Sequence, residues 1–262
     1  MSTGVLGSGR ARIQDRTLRH DRWWTAPGAT FVVFMAFVAY ATWRAFTGEF
    51  YYSSPYLSPF YSPCLTPDCI EGSSDFGTPI TWWSLSPALI ILVFPLGFRL
   101  TCYYYRKAYY RSVWLSPPAC AVAEPHKNYT GERRFPLVLQ NVHRWFWWAS
   151  AAVAAVLTFD AVLAFRNADG EWGHMGLGTV ILLVNVVLIW GYTLSCHTCR
   201  HIVGGRLRNF SRHPVRYRAW GLVSRLNQKH AQWAWYSLFS VALTDLYVYL
   251  LATGTISDLR FF

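Results

Sequence analysis

The chain has 262 residues, of which 53% are hydrophobic, 18% aromatic and only 14% charged. Soluble domains carry about 25% charged residues, so this composition argues against a soluble enzyme, and the high apolar fraction excludes a disordered chain. The net charge of +11 is also typical of nucleic-acid-binding proteins, so its meaning depends on where the charges lie.

Five segments are apolar enough to cross a bilayer, which requires about 20 residues each. Tryptophan and tyrosine flank most of them, as in the aromatic belts of membrane interfaces. The segments are Ala29–Phe46, Trp82–Tyr103, Trp145–Phe165, Met175–Leu194 and Trp233–Leu251. The sequence therefore predicts an all-α integral membrane bundle of five transmembrane helices.

Charges divide unevenly between the two sides of this bundle. The side of the N-terminus carries a net +17 and the other side −6. Because basic loops stay in the cytoplasm, we expect a cytoplasmic N-terminus and a cytoplasmic docking face, and no nucleic-acid partner. Residues 1–28 would form the cytoplasmic N-terminal segment, 29–252 the transmembrane domain with an outer loop at 47–80, and 253–262 an outer tail.

The outer loop contains a short repeat of period four. Its units are Ser54-Pro55-Tyr56, Ser58-Pro59-Phe60 and Ser62-Pro63-Cys64. Proline fixes φ and removes a backbone donor, so the repeat predicts turns or polyproline-like structure. We expect an ordered structural cap on the membrane surface, with a direct functional role as the alternative.

Two cysteines and two carboxylates also belong to the outer half. Cys64 and Cys69 lie five residues apart on the oxidising side, where a disulfide is plausible. Asp160 and Asp245 lie within spans, where ionisable groups are costly and usually functional. They either pair with Thr, Tyr or Arg166, or they belong to a proton path from the outer side.

Thiols and imidazoles concentrate at the predicted cytoplasmic ends of four spans. Independent placement would scatter them, so the set indicates a site. Its members are Cys102, His143, Cys196, His197, Cys199, His201 and His230. At about 100° per residue, one helix does not easily aim all four ligands of Cys196–His201 inward. Other spans should therefore contribute Cys102, His143 and His230.

Three kinds of centre are compatible with these ligands. Two histidines on facing helices can ligate a b-type haem, and two cysteines with two histidines suit a Rieske-type [2Fe–2S] cluster. The same set suits zinc, which would be structural because zinc has no redox role. The sequence contains no phosphate-binding glycine loop, metalloprotease helix motif or nucleophile elbow. Any chemistry is therefore electron or proton transfer within the membrane.

Several stretches resemble the cytochrome b-like membrane-anchor subunit of bacterial succinate dehydrogenase/fumarate reductase (respiratory complex II), in its five-span single-chain form. They are Pro55–Cys64, Thr101–Arg111, Ser116–Cys120, Tyr129–Glu132 and Ser195–His201. The resemblance implies a multi-pass protein of the bacterial plasma membrane. It also implies docking to an FAD-containing flavoprotein subunit and an iron–sulfur subunit on the cytoplasmic face, with no succinate site in this chain.

The resemblance further implies a site for menaquinone or ubiquinone near the cytoplasmic membrane surface. By depth and residue type, its candidate contacts are Tyr104, Tyr105, Arg106, Arg144 and Trp147. The family often carries b haems between histidines of different helices, but the first two predicted spans contain no histidine. This departure favours a Rieske-type cluster over haem b or no cofactor. The candidate ligands are Cys102, His143, Cys196, His197, His201 and His230.

We therefore expect the membrane anchor of a succinate:quinone oxidoreductase. It would relay electrons from the partner iron–sulfur subunit through a Cys/His-ligated centre to membrane quinone. Two other classes stay open, namely a stand-alone haem b transmembrane oxidoreductase and a non-redox membrane protein with a structural zinc site.

Overall fold

Helices dominate the part of the chain that the structure describes. The computed structural model describes residues 21–116, 118–122, 125, 133, 135 and 137–262. The α-helices are α1 (Thr25–Thr47), α2 (Ala88–Ile91), α3 (Val93–Leu100), α4 (Tyr103–Tyr110), α5 (His143–Leu163), α6 (Leu177–Leu194), α7 (His197–Gly204), α8 (Pro214–Gln228) and α9 (His230–Ala252), and a 3-10 helix covers Leu137–Val142. Residues 1–20 of the predicted N-terminal segment and the stretch Tyr129–Glu132 lie outside the described residues.

Among the described residues, four helices, α1, α5, α6 and α9, are long and apolar enough to cross a membrane. Large apolar side chains stay exposed along them, among them Val32, Val187 and Leu243. Extended apolar surface of this kind marks contact with lipid. The prediction of an all-α membrane bundle is confirmed, with four spans, or five when the bent pair described next is counted.

The second predicted span, Trp82–Tyr103, is not one straight helix. Residues 81–87 form turns, and the α2–α3 segment is bent by 82° against α4. Pro95 lies in the first turn of α3 and has no N–H to donate to the carbonyl of Ile91, which explains the interruption between α2 and α3. The 13 residues of Ala88–Leu100 rise only about 20 Å. Helix α4 is rich in aromatic and basic residues, a composition that is typical of a segment at the membrane interface.

The outer loop is inserted into the bundle instead of lying on its surface. Strands β1 (Tyr52–Ser53) and β2 (Tyr56–Leu57) form a small antiparallel hairpin. The rings of Tyr51 and Tyr61 stack with centroids 4.0 Å apart, and both side chains are fully buried. A disulfide joins Cys64 to Cys69, which confirms the expected pairing.

Two of the three serines of the period-four repeat contact a carboxylate, each in a different span. Ser58 donates a hydrogen bond to Asp245 of α9 over 2.5 Å, and Ser62 donates to Asp160 of α5. Because the two serines are four residues apart, the repeat ties both helices to one loop. The repeat is thus a structural connection between spans, and its serines supply the polar contacts that intramembrane carboxylates need.

Asp245 also forms a buried ion pair. Its Oδ2 lies 2.9 Å from Nε of Arg44 in α1, and both side chains are 0% exposed. Tyr40 donates a further hydrogen bond to the same oxygen over 2.6 Å. The guanidinium lies 4.6 Å from the ring centroid of Tyr249. The expected tyrosine contact is present, but the cation that pairs with Asp245 is Arg44 and not Arg166.

The C-terminal tail is held by another carboxylate. Asp258 accepts hydrogen bonds from Tyr56 over 2.7 Å, from Tyr247 over 2.6 Å and from the N–H of Gly178 over 3.0 Å. Burial alone raises the pKa of Asp258, but these hydrogen bonds and the nearby Arg260 outweigh it, so the pKa is lowered. The ionised carboxylate therefore joins the tail, the outer loop and the start of α6.

The buried ion pair yields a stability prediction. Replacing Arg44 with Met leaves Asp245 buried without its cation, which should lower the free energy of unfolding by about 3–5 kcal/mol. The control is Arg260→Ala, which removes a pair whose arginine side chain is 38% exposed and should cost about 0–1 kcal/mol. Chemical denaturation of the purified protein measures both. Equal losses in the two variants would contradict the dependence on burial.

The tail carboxylate yields a pH prediction. Asp258→Asn should lower stability at neutral pH by about 1–2 kcal/mol, because hydrogen bonds to a charged group are lost. The folded pKa is depressed, so the wild-type advantage is complete above about pH 3.9, the unfolded value. It disappears as the pH falls through the lower folded pKa. Thermal denaturation over a pH series tests this, and a pH-independent difference would refute it.

Candidate functional site

Five of the predicted ligands line one cavity at one end of the bundle, and all of these except His197 form thiol–imidazole pairs. Cys102 precedes α4, His143 begins α5, Cys196 precedes α7 and His230 begins α9. The cavity has a volume of about 200 Å³. Its lining residues are Thr101, Cys102, Tyr103, Arg106, Gln140, His143, Cys196, His197 and His230.

Both thiols of this cavity lie at breaks between helices. The backbone is extended at Cys102 (φ −69°, ψ 135°) and at Cys196 (φ −65°, ψ 144°), and each residue caps the N-terminus of a short helix. The Sγ of Cys196 accepts a hydrogen bond from the N–H of Thr198 over 3.3 Å. Burial disfavours a thiolate, the form that binds metals, and the helix N-terminus at each cysteine offsets part of this cost because it stabilises negative charge.

The assumption that Cys196–His201 continues the fourth span is wrong, because α6 ends at Leu194. The break turns Cys196 into the cavity and separates it from the ligands that follow. His197 is exposed at the cavity wall and His201 is exposed outside the lining. Cys199 is buried in the protein core and also lies outside the lining.

The four ligands form two thiol–imidazole pairs. The Sγ of Cys102 lies 3.8 Å from Nε2 of His230, and the Sγ of Cys196 lies 3.3 Å from Nε2 of His143. In both histidines, Nε2 is therefore the nitrogen that faces the cavity. This arrangement presents two sulfur and two nitrogen donors to a common space.

A hydroxyl group orients each imidazole from behind. Nδ1 of His143 lies 2.9 Å from Oγ1 of Thr101, and Nδ1 of His230 lies 2.6 Å from Oγ of Ser195. Contacts of this kind set the ring orientation of metal-ligating histidines. The contacts are crossed. Thr101 precedes Cys102 but contacts His143, which pairs with Cys196. Ser195 precedes Cys196 but contacts His230, which pairs with Cys102. Sequence reasoning missed both hydroxyls, although each directly precedes a cysteine.

The donor set agrees with the chemistry of a Rieske-type cluster, which uses two cysteines and two histidines. Among the described residues, however, no three His, Cys, Asp or Glu side chains are arranged to hold one metal ion. The structure therefore supports neither the zinc clip nor, by itself, the predicted cluster. The cavity of about 200 Å³ is also below the ~300–1,000 Å³ typical of pockets for larger organic ligands, which disfavours haem.

The five predicted quinone contacts lie in different environments. Arg106 lines the cavity, and the ring of Tyr104 lies 5.5 Å from that of His230. The hydroxyl of Tyr105 is buried and donates to the carbonyl of Ala234. Trp147 is also buried and donates to the carbonyl of Thr193 over 2.9 Å, whereas Arg144 is exposed. The structure thus places only Tyr104 and Arg106 next to the Cys/His cavity.

A buried arginine beside the site escaped sequence reasoning. Arg99 is 6% exposed and donates to Tyr105 over 2.7 Å and to Ser237 over 3.1 Å. Its guanidinium lies 4.9 Å from the ring centroid of Tyr192, which stacks on His230 with centroids 5.2 Å apart. The sequence pattern assigned Arg99 no role. Its position inside the apolar segment Trp82–Tyr103 was the available signal.

The fold and the site together define a helical membrane subunit with a thiol- and imidazole-lined cavity at one end. The family model for the actinobacterial succinate dehydrogenase subunit SdhC matches residues 25–254. The chain belongs to this family, and the predicted kinship with succinate dehydrogenase membrane anchors is confirmed.

A solved structure supports this assignment over the whole chain. The chain is 56% identical to a chain of the Mycobacterium smegmatis Sdh1 complex in the apo form, with a TM-score of 0.87, and the similarity covers 100% of both chains. No curated protein matches the chain. The protein is thus a multi-pass membrane subunit of a bacterial succinate dehydrogenase.

Proposed function

We propose that this subunit anchors a succinate:quinone oxidoreductase in the plasma membrane and passes electrons to membrane quinone. The convergence of Cys102, His143, Cys196 and His230 on one cavity carries the proposal. Membership in the succinate dehydrogenase family supports two partners, an FAD-containing flavoprotein subunit and an iron–sulfur subunit. Succinate would be oxidised in the partners and not in this chain.

We propose further that the Cys/His cavity lies at the cytoplasmic side. The residues beyond this cavity include the exposed helix α8, which presents Arg216, Arg218 and Arg225. Such a basic surface fits the positive-inside rule and a cytoplasmic docking partner. The disulfide between Cys64 and Cys69 lies at the opposite end, and disulfides persist on the oxidising side.

This orientation agrees with the proposed division of the chain. Residues 1–28 would be a cytoplasmic N-terminal segment, 29–252 the transmembrane domain and 253–262 an outer tail. The tail contacts the start of α6 through Asp258. That end of the bundle is the one opposite the Cys/His cavity.

For the redox centre we propose a [2Fe–2S] cluster held by Cys102, His143, Cys196 and His230. Support comes from two sulfur and two nitrogen donors, from the thiol positions at helix N-termini, and from hydroxyls that leave both Nε2 atoms facing the cavity. When bound, such a cluster takes up and releases one electron at a time. His197 and His201 are outside this proposed ligand set.

Quinone would bind beside the same cavity. Arg106 lies at the cavity wall between the rings of Tyr103 and Tyr110, 4.9 and 4.8 Å from their centroids. A guanidinium at this depth can donate a hydrogen bond to a quinone oxygen and stabilise the negative charge that develops on reduction. Either menaquinone or ubiquinone satisfies this chemistry.

The ligand proposal predicts different effects for two buried thiols of one short segment. Cys196→Ser in the intact complex should abolish a one-electron centre with a potential between about −150 and +300 mV, whereas Cys199→Ser should retain it. Iron analysis and a redox titration followed by EPR measure the difference. Sharp haem absorption bands that disappear in His143→Ala would show that the centre is haem b and not a cluster. Zinc without a redox signal would indicate the structural alternative.

The electron-transfer proposal predicts a split between two activities. His143→Ala and His230→Ala should abolish quinone reduction but leave succinate oxidation with an artificial acceptor unchanged, because the latter bypasses this subunit. The matched control is His201→Ala, an exposed histidine outside the cavity. The complex should copurify with two cytoplasmic subunits in all three cases. Unchanged quinone reduction in both cavity variants would refute their role.

A further inference from the structure

We propose that Asp160 is a proton-exchange site that opens to the outer side of the membrane. The compartment rests on the orientation in the proposed function, whereas the site itself rests on geometry. Asp160 lies in the last turn of α5 and is 5% exposed. Its carboxylate accepts a hydrogen bond from Ser62 of the outer loop.

The structure distinguishes Asp160 from the other carboxylate within a span. Asp245 is neutralised by Arg44 and receives two further hydroxyl contacts, from Tyr40 and Ser58. No ion pair of Asp160 is present in the part of the chain that the structure describes. A buried carboxylate without a cation is costly, and its neutral form is cheaper to bury. Asp160 can therefore take up a proton without breaking an ion pair, whereas Asp245 is paired with Arg44.

An outer cavity gives Asp160 access to water. The cavity has a volume of about 240 Å³, and Asp160 lies in its wall. The titratable or charged groups that share this lining are Tyr52, Asp75, Arg166 and Asp169. Liquid water occupies about 30 Å³ per molecule, so the space accommodates several waters. Protons can reach the carboxyl group from that side without crossing apolar core.

Two polar side chains lie near Asp160 deeper in the bundle. Asn185 and Thr244 share with Asp160 the lining of a second cavity of about 10 Å³, whose other lining residues are apolar. Asn185 accepts a hydrogen bond from Ser240 over 3.1 Å. One turn further along α9, Ser237 accepts a hydrogen bond from Arg99 over 3.1 Å.

This row of polar side chains lies between Asp160 and Arg99, and Ser240 within it is half-buried. The polar groups that lie near Asp160 on α6 and α9 are Asn185 and Thr244. Neither of these side chains titrates. The next carboxylate on α9 is Asp245, which is paired with Arg44. Asp160 is thus the titratable group at the outer end of the row, with Asp75 and Asp169 nearer the surface.

The test uses the intact complex in vesicles of one orientation, so that each side of the membrane can be given its own pH. The probe is a hydrophobic carbodiimide, which modifies only protonated carboxyl groups. The pH is changed on one side at a time, and mass spectrometry measures modification of Asp160. We expect modification to fall several-fold as the pH rises on the disulfide side, with no response to the pH on the Cys/His side. Asp245, whose carboxylate is occupied by Arg44, Tyr40 and Ser58, should stay unmodified. Asp160→Asn should remove the signal from its peptide.

Three results would overturn the proposal. They are the absence of modification at Asp160, modification that ignores pH, and modification that follows the pH of the Cys/His side. The readout does not depend on quinone, on a metal centre or on catalytic turnover. If modification follows the pH on the disulfide side but that side is cytoplasmic, the proton-exchange site stands and only the orientation in the proposed function fails.

Discussion

Two helices stop just before a cysteine at the same depth of the bundle, and the site depends on this shared interruption. On a continuous helix, successive side chains diverge by about 100°, so neighbouring ligands point apart. At Cys102 and Cys196 the extended backbone aims each sulfur into the cavity. The new helix that follows directs its first N–H groups toward the sulfur, which favours negative charge there.

The opposite end of the bundle depends on a different device. There a proline-rich loop enters between the helices and brings hydroxyls to the carboxylates of α5 and α9. The loop holds one carboxylate in an ion pair with Arg44 and leaves the other beside a polar cavity. The same short repeat thus produces a rigid contact at Asp245 and a titratable group at Asp160.

The sequence was sufficient for the membrane class and for most of the helices, because runs of apolar residues have few alternatives in a bilayer. It did not reveal the bend at Cys102, because an apolar run has the same appearance whether its helix is straight or broken. The depth of the seven candidate ligands along the spans was sufficient to place them at the correct end of the bundle. Which of them line the cavity and form pairs depends on backbone breaks that composition does not record.

The missed residues share one physical property. Arg99, Thr101 and Ser195 each contact a residue distant in the sequence, namely Ser237, His143 and His230, at 2.6 to 3.1 Å. A single sequence contains no record of such pairs. Only the position of a charge within an apolar segment, or of a hydroxyl directly before a cysteine, gave any indication of them.

The crossed hydroxyl contacts make the assembly of the site cooperative. Each histidine touches both helix breaks, one through its Nε2 and the other through its Nδ1. A shift of either break therefore disturbs both thiol–imidazole pairs at once. The geometry of the site is therefore set jointly by the starts of α4 and α7, and neither helix fixes one thiol–imidazole pair alone.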